Sequence, residues 1–184
     1  MYRYVIAVLS LLFILSVSAW ADEISFVSYC TSCHGTNGAG PGETIPYISG
    51  QSKEYLAITM TEMRDATRYA TLMQTLAKGY NDEEIEALAA WFAARQWVSN
   101  TNKTDSALAA NGKALSESCS SCHEESMREV PRISGQPSGY LSKAMLEYKN
   151  MLRNNDGGAA MMIGVVDMSD EDIQALAEYY SGLK

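Results

Sequence analysis

Histidine and cysteine are scarce in this sequence: 184 residues contain only two and four of them, respectively. That leaves too few soft ligands for several metal centres of the usual four-ligand kind. Basic residues are also outnumbered, 14 Lys and Arg against 22 Asp and Glu, for a formal net charge of −8. Nucleic-acid binding needs a concentrated basic face to neutralise phosphate, so this balance excludes nucleic acid as a partner. Prolines number four and 47% of the chain is hydrophobic, which sets it apart from disordered and low-complexity sequences. No convincing run of alternating apolar and polar residues is present, so β-sheet is not expected.

Long apolar runs are missing as well, except at the amino terminus. "MYRYVIAVLSLLFILSVSAWADE" combines Arg3, an apolar run from Val5 to Val17 and an A-x-A signal at Ala19–Ala21. This reads as a signal peptide over residues 1–21, cleaved before Asp22, and places the protein in the periplasm. A retained anchor is the alternative, at the short limit for crossing a bilayer.

What is present is written twice. Cys30-Thr-Ser-Cys33-His34 matches Cys119-Ser-Ser-Cys122-His123, "IPYISGQSKEYL" (45–56) matches "VPRISGQPSGYL" (130–141), and "YNDEEIEALAAWF" (80–92) matches "MSDEDIQALAEYY" (168–180). The offsets are 89, 85 and 88 residues, so two copies of one fold differ only by small loop changes. Two copies are too few for a solenoid. Tandem domains are expected over 22–98 and 99–184, with the polar stretch 96–106 as the boundary. Asn81 with Glu84, and Ser169 with Asp172, are spaced as helix caps ahead of apolar residues at i, i+3, i+4 and i+7. Further helices are expected over residues 53–65, 138–152 and the 13-residue stretch "SALAANGKALSES" leading into the second motif. The fold class is all-α.

All six Cys and His residues fall in the two C-x-x-C-H motifs. Structural zinc takes four ligands, and each motif offers three. A thioredoxin-like dithiol requires a βαβ setting that is lacking here. Covalent haem attachment fits the motif directly. Two thiols one helical turn apart reach the two vinyl groups of a porphyrin, and the next residue is carried under the iron. Cys30, Cys33, Cys119 and Cys122 are therefore the expected attachment points of two haem c groups, with His34 and His123 as proximal ligands. No spare histidine exists, so methionine is the expected second axial ligand. Met73 and Met161 both lie nine residues before a matched aspartate, Asp82 and Asp170. Met162 remains the rival in the second copy. Tyr55 and Tyr140 are candidates to pack on the haem or bond a propionate, and Arg64, Arg68 and Arg153 candidates for the latter. The carbonyls near Pro46 and Pro131 either orient the histidines or merely form loop turns. Gly35, Gly38, Gly40 and Gly42 follow the first motif where Glu124, Glu125, Ser126 and Met127 follow the second, so the two haem edges are expected to differ.

These duplicated motifs, the P-x-x-S-G-Q-x-x-x-Y-L stretches and the S-D-E-D-I-x-A-L-A-x-Y-Y helix resemble the two-haem class I cytochromes of the c4 type, over nearly the whole chain after residue 21. Within that group "TLMQTLAKGYNDEEIEALAAWF" (71–92) is similar to the cytochrome subunit of flavocytochrome c sulfide dehydrogenase, whereas "MIGVVDMSDED" is closer to the c4 type. The resemblance implies an electron carrier rather than an enzyme. Its donor would be a FAD-containing sulfide dehydrogenase flavoprotein and its acceptor a soluble cytochrome or oxidase. The alternative is a free c4-type shuttle to a terminal oxidase or other redox partner.

Overall fold

The computed structural model describes residues 27–40, 42–123 and 127–184, so the expected signal peptide and Glu124–Ser126 lie outside the described residues. Among the described residues every regular element is helical. The first half holds α1 (residues 27–34), α2 (Lys53–Arg64), α3 (Met73–Leu76) and α4 (Asp82–Ala93). The second holds α5 (Ser106–Leu115), α6 (Glu117–Ser120), α7 (Ser138–Lys149), α8 (Ala159–Val165) and α9 (Asp170–Ser181). No helix is long and apolar enough to cross a membrane among the described residues.

The caps read from spacing form as expected. Asn81 Oδ1 accepts the Glu84 N–H at 2.9 Å while Glu84 accepts the Asn81 N–H at 2.8 Å. Ser169 and Asp172 repeat this reciprocal pairing at 3.0 and 3.3 Å. Each box satisfies two amides that a helix start otherwise leaves unbonded. Behind the first cap, Ile85, Leu88, Ala89 and Phe92 bury one stripe of α4 against Leu56, Ala57 and Val27. Behind the second, Leu176, Ala177 and Tyr180 of α9 close on Leu141 of α7. Ile85 and Ile173, at equivalent positions, are 1% and 0% exposed. Truncating either to alanine removes a core anchor at about 2–5 kcal/mol.

Two helix expectations are corrected. The α7 helix stops at Lys149 rather than reaching residue 152, because Met151 enters the left-handed region at φ 56°. The N–H groups of Leu152 and Arg153 then turn back to Glu147 O. Ala66 makes the same turn at φ 60° after α2, with Thr67 and Arg68 bonded to Glu62 O. The helix expected ahead of the second motif is broken at Ser116, whose hydroxyl donates to Lys113 O at 2.9 Å. α5 packs closely on α9, and Gly112 makes that possible: a Cβ there would lie 2.0 Å from Ala175 O.

The boundary stretch is anchored rather than loose. Asn100 is buried, its N–H donates to Gly135 O at 2.7 Å and its side chain to Ser181 Oγ at 2.7 Å.

Candidate functional site

α1 carries Cys30 and Cys33 one turn apart and ends on His34; α6 carries Cys119, and Cys122 and His123 follow in the turn after it. In both motifs the first thiol is half-buried and the second exposed, and none of the four is in a disulfide. The two histidines point inward. His34 Nδ1 lies 2.8 Å from Pro46 O, and His123 Nδ1 lies 2.9 Å from Pro131 O. A carbonyl only accepts, so the ring proton sits on Nδ1 and the Nε2 lone pair is left free. Burial pushes both imidazole pKa values down, against the opposing pull of the proline carbonyls. A neutral ring with Nε2 free is the form that binds a metal.

Opposite His123 stands Met161, the third residue of α8, with Sδ 3.5 Å from Nε2. Met162 is half-buried and has no such contact among the described residues. In the first half, Met73 opens α3 and is half-buried, but it makes no hydrogen-bond-range contact with His34 among the described residues. The structure thus brings one candidate axial pair face to face and holds the other only in the equivalent place.

The arginine candidates separate cleanly. Arg64 is half-buried and paired outward with the exposed carboxylates of Asp65 at 2.8 Å and Asp82 at 2.5 Å. Arg68 and Arg153 are 5% and 8% exposed, and each follows the left-handed turn of its own copy. Arg153 Nε approaches Glu147 Oε2 at 2.7 Å, yet at an angle that leaves both atoms without a hydrogen bond. Arg68 donates to the Tyr55 hydroxyl at 3.4 Å. Burial, then the charge of Tyr140, pushes the Tyr55 phenol up to about 12, with Tyr148 adding to the rise and Arg68 and Arg153 opposing it. Half-buried tyrosines and buried arginines of both halves therefore form one cluster. Asn155 ties it together by donating to the Glu62 carboxylate at 2.9 and 3.0 Å.

Two neutral, oriented imidazoles, a thioether facing one of them and a buried arginine N–H without an acceptor suit haem well. Such a site takes nitrogen and sulfur donors for iron and cationic donors for propionates.

The cytochrome c family profile matches residues 23–95 and again 109–184. The chain belongs to the cytochrome c family. It is a tandem pair of such domains and carries two covalently attached haem c groups. Cytochrome c4 of Pseudomonas aeruginosa is 28% identical over 169 residues, covering 84% of this chain and 83% of that one. The cytochrome subunit of sulfide dehydrogenase from Chlorobaculum tepidum is 40% identical over 63 residues, 34% of this chain and 56% of that one. Among solved structures, reduced recombinant cytochrome c4 from Pseudomonas stutzeri superimposes with a TM-score of 0.80 at 23% identity, over 89% of this chain and 98% of that one. The all-α, two-domain fold and the diheme character read from the sequence are therefore shown.

Of the two roles open to the proline carbonyls, histidine orientation or loop turn, the structure shows the first: Pro46 O and Pro131 O each accept from a histidine Nδ1–H. Glu62, Glu147 and Asn155, which surround the buried arginines, were missed; the carboxylates do recur at the 85-residue offset, so the repeat held that signal.

Proposed function

We propose that this protein is an exported electron carrier that receives electrons from the FAD-containing subunit of a sulfide dehydrogenase and passes them to a soluble cytochrome or oxidase. Residues 1–21 are the export signal, and the domains divide between 98 and 99. Each bound haem supplies an iron that gains or loses one electron. Cys30, Cys33, Cys119 and Cys122 hold the groups; His34 with Met73, and His123 with Met161, are the axial pairs. The contact of His123 Nε2 with Met161 Sδ at 3.5 Å is the observation that carries the second pair, and the first follows from the matched place of Met73 in the repeat. With these side chains as ligands, a bound haem would offer no open position for substrate, which favours a carrier over a catalyst. Arg68 and Arg153 are the propionate donors.

The sulfide dehydrogenase reading is supported by the 40% identity over 63 residues to such a cytochrome subunit. A second reading, a free c4-type shuttle, is supported by a match to cytochrome c4 over 84% of the chain. Reduction by sulfide separates the two. A subunit co-purifies with a FAD protein and is reduced by sulfide only in its presence; a free shuttle purifies alone and exchanges electrons with an oxidase. Met161→Leu and Met73→Leu each remove one methionine–iron charge-transfer band, whereas Met162→Leu leaves both. An unchanged spectrum in either of the first two overturns that ligand.

A further inference from the structure

The two domains grip each other through a reciprocal pair of buried glutamines. Gln136 of the second domain accepts the Tyr47 N–H at 2.8 Å and donates to the Tyr47 carbonyl at 2.7 Å. Gln51 of the first domain accepts the Arg132 N–H at 2.9 Å and donates to the Arg132 carbonyl at 2.7 Å. Gln51 and Gln136 are 3% and 2% exposed and occupy the same place in the repeat. Each is preceded by a glycine in the left-handed region, Gly50 at φ 63° and Gly135 at φ 79°. Those glycines are themselves tied to the end of their own domain's last helix, at Phe92 O and Tyr180 O. The glutamines are thus aimed across the interface from fixed backbone.

What they hold is the peptide next to each histidine. The Pro46–Tyr47 peptide accepts from His34 at its carbonyl and donates to Gln136 at its N–H. The Pro131–Arg132 peptide does the same between His123 and Gln51. A hydrogen-bonded chain therefore runs from each histidine, through one peptide, to the glutamine of the other domain. Donation from a peptide N–H draws negative charge onto its carbonyl oxygen, so the two bonds reinforce each other. A stronger acceptor at Nδ1–H makes Nε2 more basic and fixes the plane of the ring. We infer that Gln136 and Gln51 are positioning residues that act crosswise, each setting the orientation and basicity of the histidine in the opposite domain.

The inference rests on His34 and His123 being axial ligands. A more basic axial imidazole favours the oxidised iron, so loss of the glutamine raises the potential of the site it serves. The test is a redox titration of the full two-haem protein carrying Gln136→Met or Gln51→Met, with each wave assigned to its domain by Met73→Leu and Met161→Leu. Gln136→Met is expected to raise the wave of the first domain and speed exchange of the His34 Nδ1–H proton, leaving the second domain's wave in place. Gln51→Met is expected to do the reverse. A glutamine that only glues the domains together moves its own domain's wave, both waves equally, or neither, and any of these results overturns the inference. Should either methionine variant not fold, Gln136→Asn and Gln51→Asn, too short to reach across but still polar, carry the same crossed comparison. A parent protein without two histidine-ligated low-spin haems overturns the ligand reading; a normal parent with an uncrossed response overturns only this inference.

Discussion

Gly112→Ala sets two rules against each other. Alanine is the better helix former, and in the interior of α5 the exchange gains about 1 kcal/mol if propensity alone decides. The neighbouring helix decides otherwise. The new Cβ would stand 2.0 Å from Ala175 O, 2.5 Å from Ala175 C and 2.9 Å from Leu176 N, all of them backbone atoms with no rotamer to yield. Ordinary contact begins near 3.4 Å, so α5 and α9 must separate by about 1.4 Å (3.4 − 2.0). Overpacking by a single group costs about 1–3 kcal/mol where side chains can adjust. Here whole helices must move, so the upper end applies and the net loss is about 2 kcal/mol after the propensity gain. For a domain of this size that lowers its unfolding midpoint by about 8–16 °C. The assay is thermal unfolding of the haem-loaded protein followed by circular dichroism, with Ala110→Gly as control. Ala110 is exposed on the same helix, so its exchange loses only propensity, about 1 kcal/mol. α5 runs into the turn that presents Cys119, so the second haem's spectrum is also expected to shift. A Gly112→Ala protein as stable as the parent, or more so, refutes the packing argument.

Three further outcomes are expected. Arg153→Met leaves Glu147, which is 6% exposed, with only the longer pairing to Lys143 at 3.9 Å and destabilises by about 3 kcal/mol, while the double change with Glu147→Leu loses less than the single one in denaturant unfolding. Asn81→Ala and Ser169→Ala each remove one reciprocal cap and cost about 1 kcal/mol by the same assay; no change in either removes the capping account of α4 and α9. Cys119→Ser with Cys122→Ser leaves a chain with one covalently bound haem in denaturing gels stained for haem, and two retained haems refute the attachment assignment.

Much of the architecture could be read in advance because the chain repeats itself. A cap at Asn81 is a weak sign alone, but Ser169 at the equivalent place makes it a rule of the fold. The same comparison explains the arginines. Arg64 corresponds to Lys149, and both pair at the surface with equivalent aspartates, Asp82 at 2.5 Å and Asp170 at 2.7 Å. Arg68 and Arg153 correspond to each other, and the left-handed residue before each pair, Ala66 or Met151, turns the chain back so that the arginine is buried. Spacing on a continuous helix would have put Arg153 one turn beyond Lys149. The break at Met151 was invisible, because a methionine is not a residue that announces positive φ.

Met161 and the glutamines mark a different limit. Adjacent methionines cannot be told apart by register when one loop residue exchanges them, and only the packing of α8 brings Met161 rather than Met162 to His123. "ISGQ" was conspicuous for recurring, yet nothing local gives its glutamine a role. Its partners lie 89 and 81 residues away, in the other copy. Duplication allows that arrangement: where a patch meets its own copy, a contact can be made twice with the roles exchanged, as these glutamine contacts are. Because the contacted peptide is also the one that orients a histidine, the surface that joins the domains is the surface through which each haem site feels the other.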